Sequence, residues 1–335
     1  MSQNRAAINL NSLHLARYHF HFRVTQTMRL PDYAGSALRG VFGRALMQLS
    51  GLHVSDVKNK SPLFLHSPYA EVFEPQPEPE GAGLLARLPD IPPPYVIEAP
   101  VNRGYLYEPE QQLSFSMVLT QRALAHLPLI ILAWRRALLM GIGQGHSGKA
   151  ELVLVEHEVA SGERQSIYSE DKPRVVEHDT LLVAPEFTQQ SAVHVRFYTP
   201  LRIQHQGRVI GAKQLSAAVF LRHVIRRYSI FWQLQFGQSL DGDLLKGVLS
   251  LADSVAEGEK RLSFRSWKRF SARQQQLMHM DGVVGRWLLP DVAPQLQQLL
   301  WYGQYLHIGK GTTFGLGGYE LCAEPWQESV RSKHE

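Results

Sequence analysis

A single cysteine, Cys322, stands in a chain of 335 residues. One thiol excludes an internal disulfide and any paired-cysteine zinc site, and it suits a reducing compartment. Long apolar runs are missing as well. The longest, Leu127–Trp134, contains Pro128 and is too short to cross a bilayer. Met1–Asn9 is polar, which argues against a secretory leader. The expectation is a cytoplasmic protein with no membrane contact. Acid is the third scarcity, and it is local. From Phe187 to Leu240 there is no Asp or Glu against seven Lys or Arg. Residues 187–319 carry 16 basic and 7 acidic residues, whereas residues 1–160 are balanced at 14 and 13. A one-sided basic second half points to nucleic acid or another anionic surface.

What the sequence has in abundance near its end is glycine. Gly309, Gly311, Gly315, Gly317 and Gly318 fall within ten residues, separated by Lys310, Thr312, Thr313, Phe314 and Leu316. Such a run can turn its N–H groups toward a phosphate, with Lys310 adding charge and the threonines adding hydroxyl donors. The bland alternative is a flexible connector between a helix and a strand. No strand precedes the run, so it is neither a Walker A loop nor a dinucleotide fingerprint. A polyanion backbone is the better expected ligand.

Read in order, Leu13–Val24 alternates. Leu13, Leu15, Tyr18, Phe20, Phe22 and Val24 are apolar, with His14, Arg17, His19, His21 and Arg23 between them and a slip at Ala16. This is a strand with one polar face, solvated or turned to RNA. A helix is expected over Ala37–Ser50, capped by Ser36, with Arg39 and Arg44 off its apolar stripe. A basic loop follows, bearing His53, Lys58 and Lys60. A proline-rich connector covers residues 74–94, then strands at Tyr95–Pro100 and Leu113–Thr120 and a buried helix at Leu127–Met140. Gly141–Gly148 is a second glycine loop, and the strand Ala150–Glu158 comes directly after it.

The second half opens with an alternating strand, Val193–Ile203. Lys213 precedes a helix over Gln214–Phe231, on which Arg222 and Arg226 sit one turn apart. That like-charge pair is mildly unfavourable unless a polyanion faces it. Lys260–Met280 holds six basic residues and no acid, with Phe264, Trp267 and Phe270 interleaved. It reads either as a base-stacking surface or as a strand with a buried aromatic face. A last helix, Asp291–Gln304, delivers the chain to His307 and the glycine run. The plan of helix, glycine loop and strand thus occurs twice. The expected fold is α+β, two tandem ferredoxin-like (RRM-like) units with a C-terminal glycine-rich loop. The expected division is residues 1–160, a linker or hairpin over 161–190, residues 191–325, and a polar tail over 326–335.

With Tyr33-Ala-Gly-Ser-Ala-Leu-Arg-Gly-Val-Phe-Gly43, Tyr198-Thr-Pro-Leu-Arg-Ile203 and Gly309-Lys-Gly-Thr-Thr-Phe-Gly-Leu-Gly317, the chain resembles the CRISPR precursor-RNA processing endoribonucleases of the RAMP superfamily over most of its length. The resemblance implies cleavage of CRISPR repeat RNA without metal or cofactor. The 2′-hydroxyl attacks the adjacent phosphate, leaving a 2′,3′-cyclic phosphate and a 5′-hydroxyl. Such chemistry needs a base, an acid and a cation. The segment Leu52-His53, Lys58, Lys60 and Leu63-Phe64 matches the layout of some members, which implies His53 for proton transfer with Lys60 or Arg39 as the cation. His307 is the rival acid–base group. The chain departs from the resemblance inside the first helix, where Arg44 stands in place of a histidine. Arg202, Lys213, Arg222, Arg226, Lys268, Gly309, Lys310, Gly311, Thr312, Thr313, Gly315 and Gly317 are the expected RNA contacts. The expected partners are repeat RNA and other Cas proteins of an effector complex. The alternative is a non-catalytic subunit of this superfamily that only binds guide RNA.

Overall fold

The structure is a computed structural model that describes residues 12–77, 83–101, 106–205, 207–266, 268–271 and 276–322. The expected polar tail and Trp267 lie outside these residues. The first unit runs β1 (Ser12–Gln26), α1 (Gly35–Leu49), α2 (Val54–Asn59), β2 (Tyr95–Glu98), β3 (Gln112–Thr120), α3 (Leu127–Met140) and β4 (Lys149–Glu158). The residues expected to be a linker add β5 (Arg164–Ser169) and β6 (Leu181–Val183). The second unit runs β7 (Ser191–Leu201), α4 (Ala217–Phe236), α5 (Gly242–Ser254), β8 (Lys260–Arg265), β9 (Gly282–Val292), α6 (Pro294–Leu306) and β10 (Tyr319–Cys322).

The two sheets share one strand order. The first is β2-β3-β1-β4-β5, with β6 pairing the head of β1, and the second is β8-β9-β7-β10. Every strand pair in them is antiparallel. These are tandem ferredoxin-like units, each a βαββαβ chain with its helices on one face of the sheet.

The irregular alternation of β1 reflects a change of partner. Tyr18, Phe20, Phe22 and Val24 point under α1 and α3 into the first core, where Phe42 stacks on Trp134 at 4.8 Å between ring centroids. Leu13 and Leu15 lie on the opposite face and belong to the second core, with Val96, Val118, Leu221 and Phe231. Ala16 is the switch. The head of the first sheet is therefore roofed by the second unit, while Arg17, His19, His21 and Arg23 continue along the same face beyond the roof.

Several boundaries move for local reasons. α1 starts at Gly35 rather than behind a Ser36 cap, and its N-cap position, Ala34, supplies no side-chain hydrogen bond. Gly35 lies so close to the Phe314 carbonyl that a Cβ there would overlap it. α4 starts after Ser216, whose hydroxyl accepts from the Val219 N–H at 3.3 Å. α6 starts at Pro294 because β9 persists to Val292. α5 was not anticipated, although Asp241 accepts from the N–H groups of Asp243 and Leu244 at 3.0 Å as an N-cap. Within Lys260–Met280 the described residues form strands. β8 pairs β9, residues 268–271 pair with residues 276–279, and Phe264 is half exposed instead of buried.

Glycines divide into two kinds. A Cβ on Gly317, which holds φ of +72°, would overlap the carbonyl of Ile308, whereas Gly40 on α1 has nothing within 4 Å of that position. Gly317→Ala is expected to lower stability by about 2–4 kcal/mol, since backbone cannot yield as a side chain does. Gly40→Ala should raise it by up to about 1 kcal/mol. Denaturant melts of the two variants test this, and equal effects would refute the steric account.

Candidate nucleic-acid interface

The two units meet on a buried charge. The Arg17 guanidinium reaches Glu98 Oε2 at 2.9 Å from Nε, Glu158 Oε1 at 2.8 Å from Nη1, and the Gln304 carbonyl at 3.4 Å from Nη2. It also covers the Tyr305 ring at 4.4 Å. Glu98 Oε1 lies 3.2 Å from Nε2 of His307, whose Nδ1 faces the Leu316 carbonyl at 3.2 Å. The Tyr198 hydroxyl stands 3.3 Å from the same Nε2. Burial alone would raise the Glu98 carboxyl, but Arg17 and then His307 outweigh it and hold it down at about 2. Burial pushes the Tyr198 hydroxyl up. His19 extends the network, with Nε2 at 2.7 Å from Glu158 and Nδ1 at 2.8 Å from Ser116 Oγ.

Beside this seam the second sheet presents a row of arginines. Register pairs Arg261 on β8 with Arg286 on β9, Arg286 with Arg196 on β7, and Arg196 with Glu320 on β10. Directly paired residues share a face, so three guanidinium groups and one carboxylate cross the sheet in line. Arg265 joins them around a recess of about 340 Å³. Arg196 meets Glu320 at 3.1 Å, and Arg261 meets Glu259 at 2.5 Å. Like charges opposite one another are unfavourable in an isolated sheet. The even spacing of Arg196 in an alternating strand was the available sequence signal, but pairing across strands was needed to see the row.

The residues singled out from sequence scatter over the two units. His307 is fully buried at the seam and touches protein on both ring nitrogens. The glycine loop beside it turns inward. Lys310 N–H donates to the Arg202 carbonyl at 2.8 Å, Gly317 N–H to the Pro200 carbonyl at 2.9 Å, and Gly318 N–H to Thr199 Oγ1 at 2.7 Å. A Cβ on Gly309 would overlap the Arg202 carbonyl, and one on Gly315 would press on Ile97 and Tyr33. Gly311 packs against Phe314 and Leu316. Thr312 is buried with Oγ1 accepting from Arg227 at 3.0 Å, Thr313 is half-buried, and the Lys310 side chain is exposed. Arg202 is half-buried, and Lys213 and Arg226 are exposed. Arg222 is exposed and ion-paired with Asp253 on α5. Lys268 lies in the outer hairpin strand, Lys268–Ser271, and its side chain lies outside the described residues.

The remaining acid–base candidates lie on the first unit. His53 is exposed at the N-cap of α2, its N–H donating to Asp56 Oδ2 at 2.9 Å, and Lys60 is exposed just past that helix with φ of +46°. Arg39 is engaged, with Nε donating to the Tyr95 hydroxyl at 3.0 Å and its guanidinium over Phe73 at 4.2 Å. A pair not anticipated joins Arg44 on α1 to His146 in the first glycine loop, Nη1 to Nε2 at 3.1 Å, and both are exposed. Gly40, one turn before Arg44, leaves open space on that face. Among the described residues, no three His, Cys, Asp or Glu side chains converge as metal ligands would. No helix among them is long and apolar enough to cross a membrane.

Residues 195–319 match the family model of the CRISPR-associated endoribonuclease Cas6. That segment is 125 of the 335 residues, and over it the chain is similar to the Cas6 endoribonucleases. Residues 13–180 match a model described as an N-terminal domain, AF_1859_N. A Cas6 product complex superposes with a TM-score of 0.55 at 14% identity, covering 92% of this chain and 99% of that one. Cas6 of Thermus thermophilus gives 0.51 at 13% identity, with 93% and 99% covered. A partial Cas6-RT-Cas1–Cas2 complex gives 0.51 at 13% identity, with 92% of this chain and 46% of that one. At these identities the likeness shows the tandem fold. No curated protein matches the chain.

The seam carboxylate links stability to pH. The folded value of Glu98, about 2, lies below the ordinary 4.5, so its contribution is fully present above about pH 4.5 and is lost as pH falls toward 2. Thermal melts from pH 5 to pH 3 should therefore show falling stability, with Glu98→Gln flattening the decline. Parallel curves for the two proteins would show that Glu98 is not held by Arg17.

Proposed function

We propose that the chain cleaves CRISPR repeat RNA without metal, by attack of a 2′-hydroxyl on the adjacent phosphate, leaving 2′,3′-cyclic phosphate and 5′-hydroxyl ends. The observation that carries the chemistry is the Arg44–His146 pair. An arginine only donates hydrogen bonds, so the His146 Nε2 facing it must hold a lone pair. The ring proton then sits on Nδ1, which faces the Gly141 carbonyl at 3.3 Å. A neutral imidazole beside a permanent cation is the combination the reaction requires. A phosphate that draws Arg44 to its own oxygens frees Nε2 to take the 2′-hydroxyl proton, and the guanidinium then faces the charge of the phosphorane. As the P–O5′ bond breaks, the 5′-oxygen takes a proton from water. His146 thus supplies, from the neighbouring loop, the imidazole that α1 lacks at Arg44. His53 with Lys60 is the second proton-transfer candidate, since both are exposed on the same unit.

His307 and the glycine loop act in this reading as positioning elements, because their polar atoms are spent within the protein. RNA phosphates are held on the arginine row of the second sheet and on Lys213, Arg226 and Lys310. Other Cas proteins are partners in the same reading, as the Cas6-RT-Cas1–Cas2 complex has for its own Cas6.

The test is single-turnover cleavage of labelled repeat RNA in EDTA. Cleavage should persist, and a 2′-deoxy nucleotide 5′ of the cut should abolish it. His146→Ala should slow it about 10²–10⁴-fold with little change in Kd. If His53→Ala slows it and His146→Ala does not, proton transfer belongs to the loop after α1. Binding without cleavage under all conditions would instead identify a subunit that only holds guide RNA. A separate expectation concerns affinity. Arg196→Ala with Arg286→Ala should reduce the slope of log affinity against log salt by roughly one to two. An unchanged slope would remove the row from the interface.

A further inference from the structure

At the seam lies a cavity of about 320 Å³ whose walls include Arg17, Glu98, Glu158, Tyr198, Tyr305 and Glu320. It adjoins the arginine row, because Tyr198 lines both recesses and the Arg196–Glu320 pair stands between them. The two neighbours have opposite chemistry. The row offers guanidinium groups. The cavity is lined by three carboxylates, two of them served by Arg17, with His19 also on Glu158 and Arg196 on Glu320 from the rim. Phosphate suits the first and is repelled by the second.

Two groups in the cavity await a ligand. Tyr305 is only 8% exposed and lines the space, and its hydroxyl has no hydrogen-bond partner among the described residues. Glu320 spends Oε1 on Arg196, while its Oε2 has no ion-pair partner among them. With tyrosine rings for walls and carboxylates for acceptors, the space suits a flat, neutral molecule whose edge donates hydrogen bonds.

We infer that this cavity takes one unstacked nucleobase of the bound RNA, a guanine, through its N1–H and N2 amino edge, while the adjoining phosphates lie on the arginine row. Unstacked bases read on their edges are the usual means of sequence recognition in single-stranded RNA. Guanine places two donors side by side, which a carboxylate can accept together. Uracil places one N–H between two carbonyl oxygens that the carboxylates repel, and cytosine and adenine bring a single amino group. The inference rests on the RNA-binding reading above and adds the base and the place where it is read.

The experiment is fluorescence anisotropy with oligouridylates of about ten nucleotides, either all uridine or with one central guanosine, inosine, adenosine or cytidine. The guanosine oligomer should bind about tenfold more tightly than the all-uridine one. Inosine, which lacks the N2 amino group, should lose much of that gain. Tyr305→Phe should narrow the guanosine preference and leave the all-uridine affinity in place, whereas Glu320→Gln should narrow the preference while releasing Arg196 and tightening all-uridine binding. Both are small changes, and thermal melts verify that the variants fold. Equal affinity for every oligomer, with salt-sensitive binding retained, would overturn the base pocket and spare the RNA-binding reading. A guanosine preference that neither variant alters would place base reading elsewhere and overturn the pocket as well. Failure of all oligomers and of repeat RNA to bind at low salt would remove the RNA-binding reading itself.

Discussion

One guanidinium, that of Arg17, fixes how the two ferredoxin-like units sit against each other. It belongs to the first sheet, yet its partners come from both units: carboxylates on β2 and β4, a carbonyl of α6, and the ring of Tyr305. A buried charge of this kind is a weak source of net stability, because desolvation offsets much of the attraction. Its value lies in geometry. Removing a carboxylate would leave the guanidinium uncompensated at a cost of about 3–5 kcal/mol. The Gln304 carbonyl, the Tyr305 ring and the Glu98–His307 contact are what this cluster extends across to the second unit. Around it the apolar part of the interface supplies the adhesion, since Leu13 and Leu15 of β1 are members of the second unit's core.

The same constraint explains the glycine loop. After His307 the chain must pass between Arg202 on one side and Ile97 and Tyr33 on the other, with main chain against main chain. Side chains do not fit there, and the crowding would demand small residues even if no RNA were ever bound. The loop orders the start of α1 through Gly35 and Phe314, which ties the first helix of one unit to the last turn of the other. Geometry at Arg44, further along α1, is thereby coupled to the seam through a continuous helix. A sequence motif that looks like a phosphate cradle therefore acts first as a spacer between units.

Much of the fold was legible because it is written in periodicity. β1, α3 and β7 fall within two residues of where alternation and helical spacing place them. Interunit packing was not legible. The slip at Ala16 looked like noise in one strand and is the point where β1 exchanges one core for the other. His307 illustrates the matching limit for sites. A histidine beside a glycine run reads as reactive, and only the closure of Glu98, Tyr198 and Leu316 around it shows that no imidazole atom is left for a substrate. Conversely, Arg44 and His146 are 102 positions apart, and no local pattern could have paired them.

The basic character of the second half likewise changes meaning once it is placed. Composition counts Arg222 equally with Arg286, but Arg222 meets Asp253 on α5 whereas Arg286 is in register with Arg261 and Arg196 on the neighbouring strands. A protein selected only for stability has little reason to align like charges across three strands, since each neighbour raises the cost of the next. Beside the row, Glu98 and Glu158 of the seam are turned to Arg17, His19 and His307, while Glu320 and Glu259 each meet one arginine of the row. Charge is thus segregated at close quarters, acid inside the cavity and base on the open sheet. A phosphodiester strand carries the complementary division, anionic along its backbone and neutral with donor edges at its bases, and in the proposed interface that match would set a direction as well as an affinity.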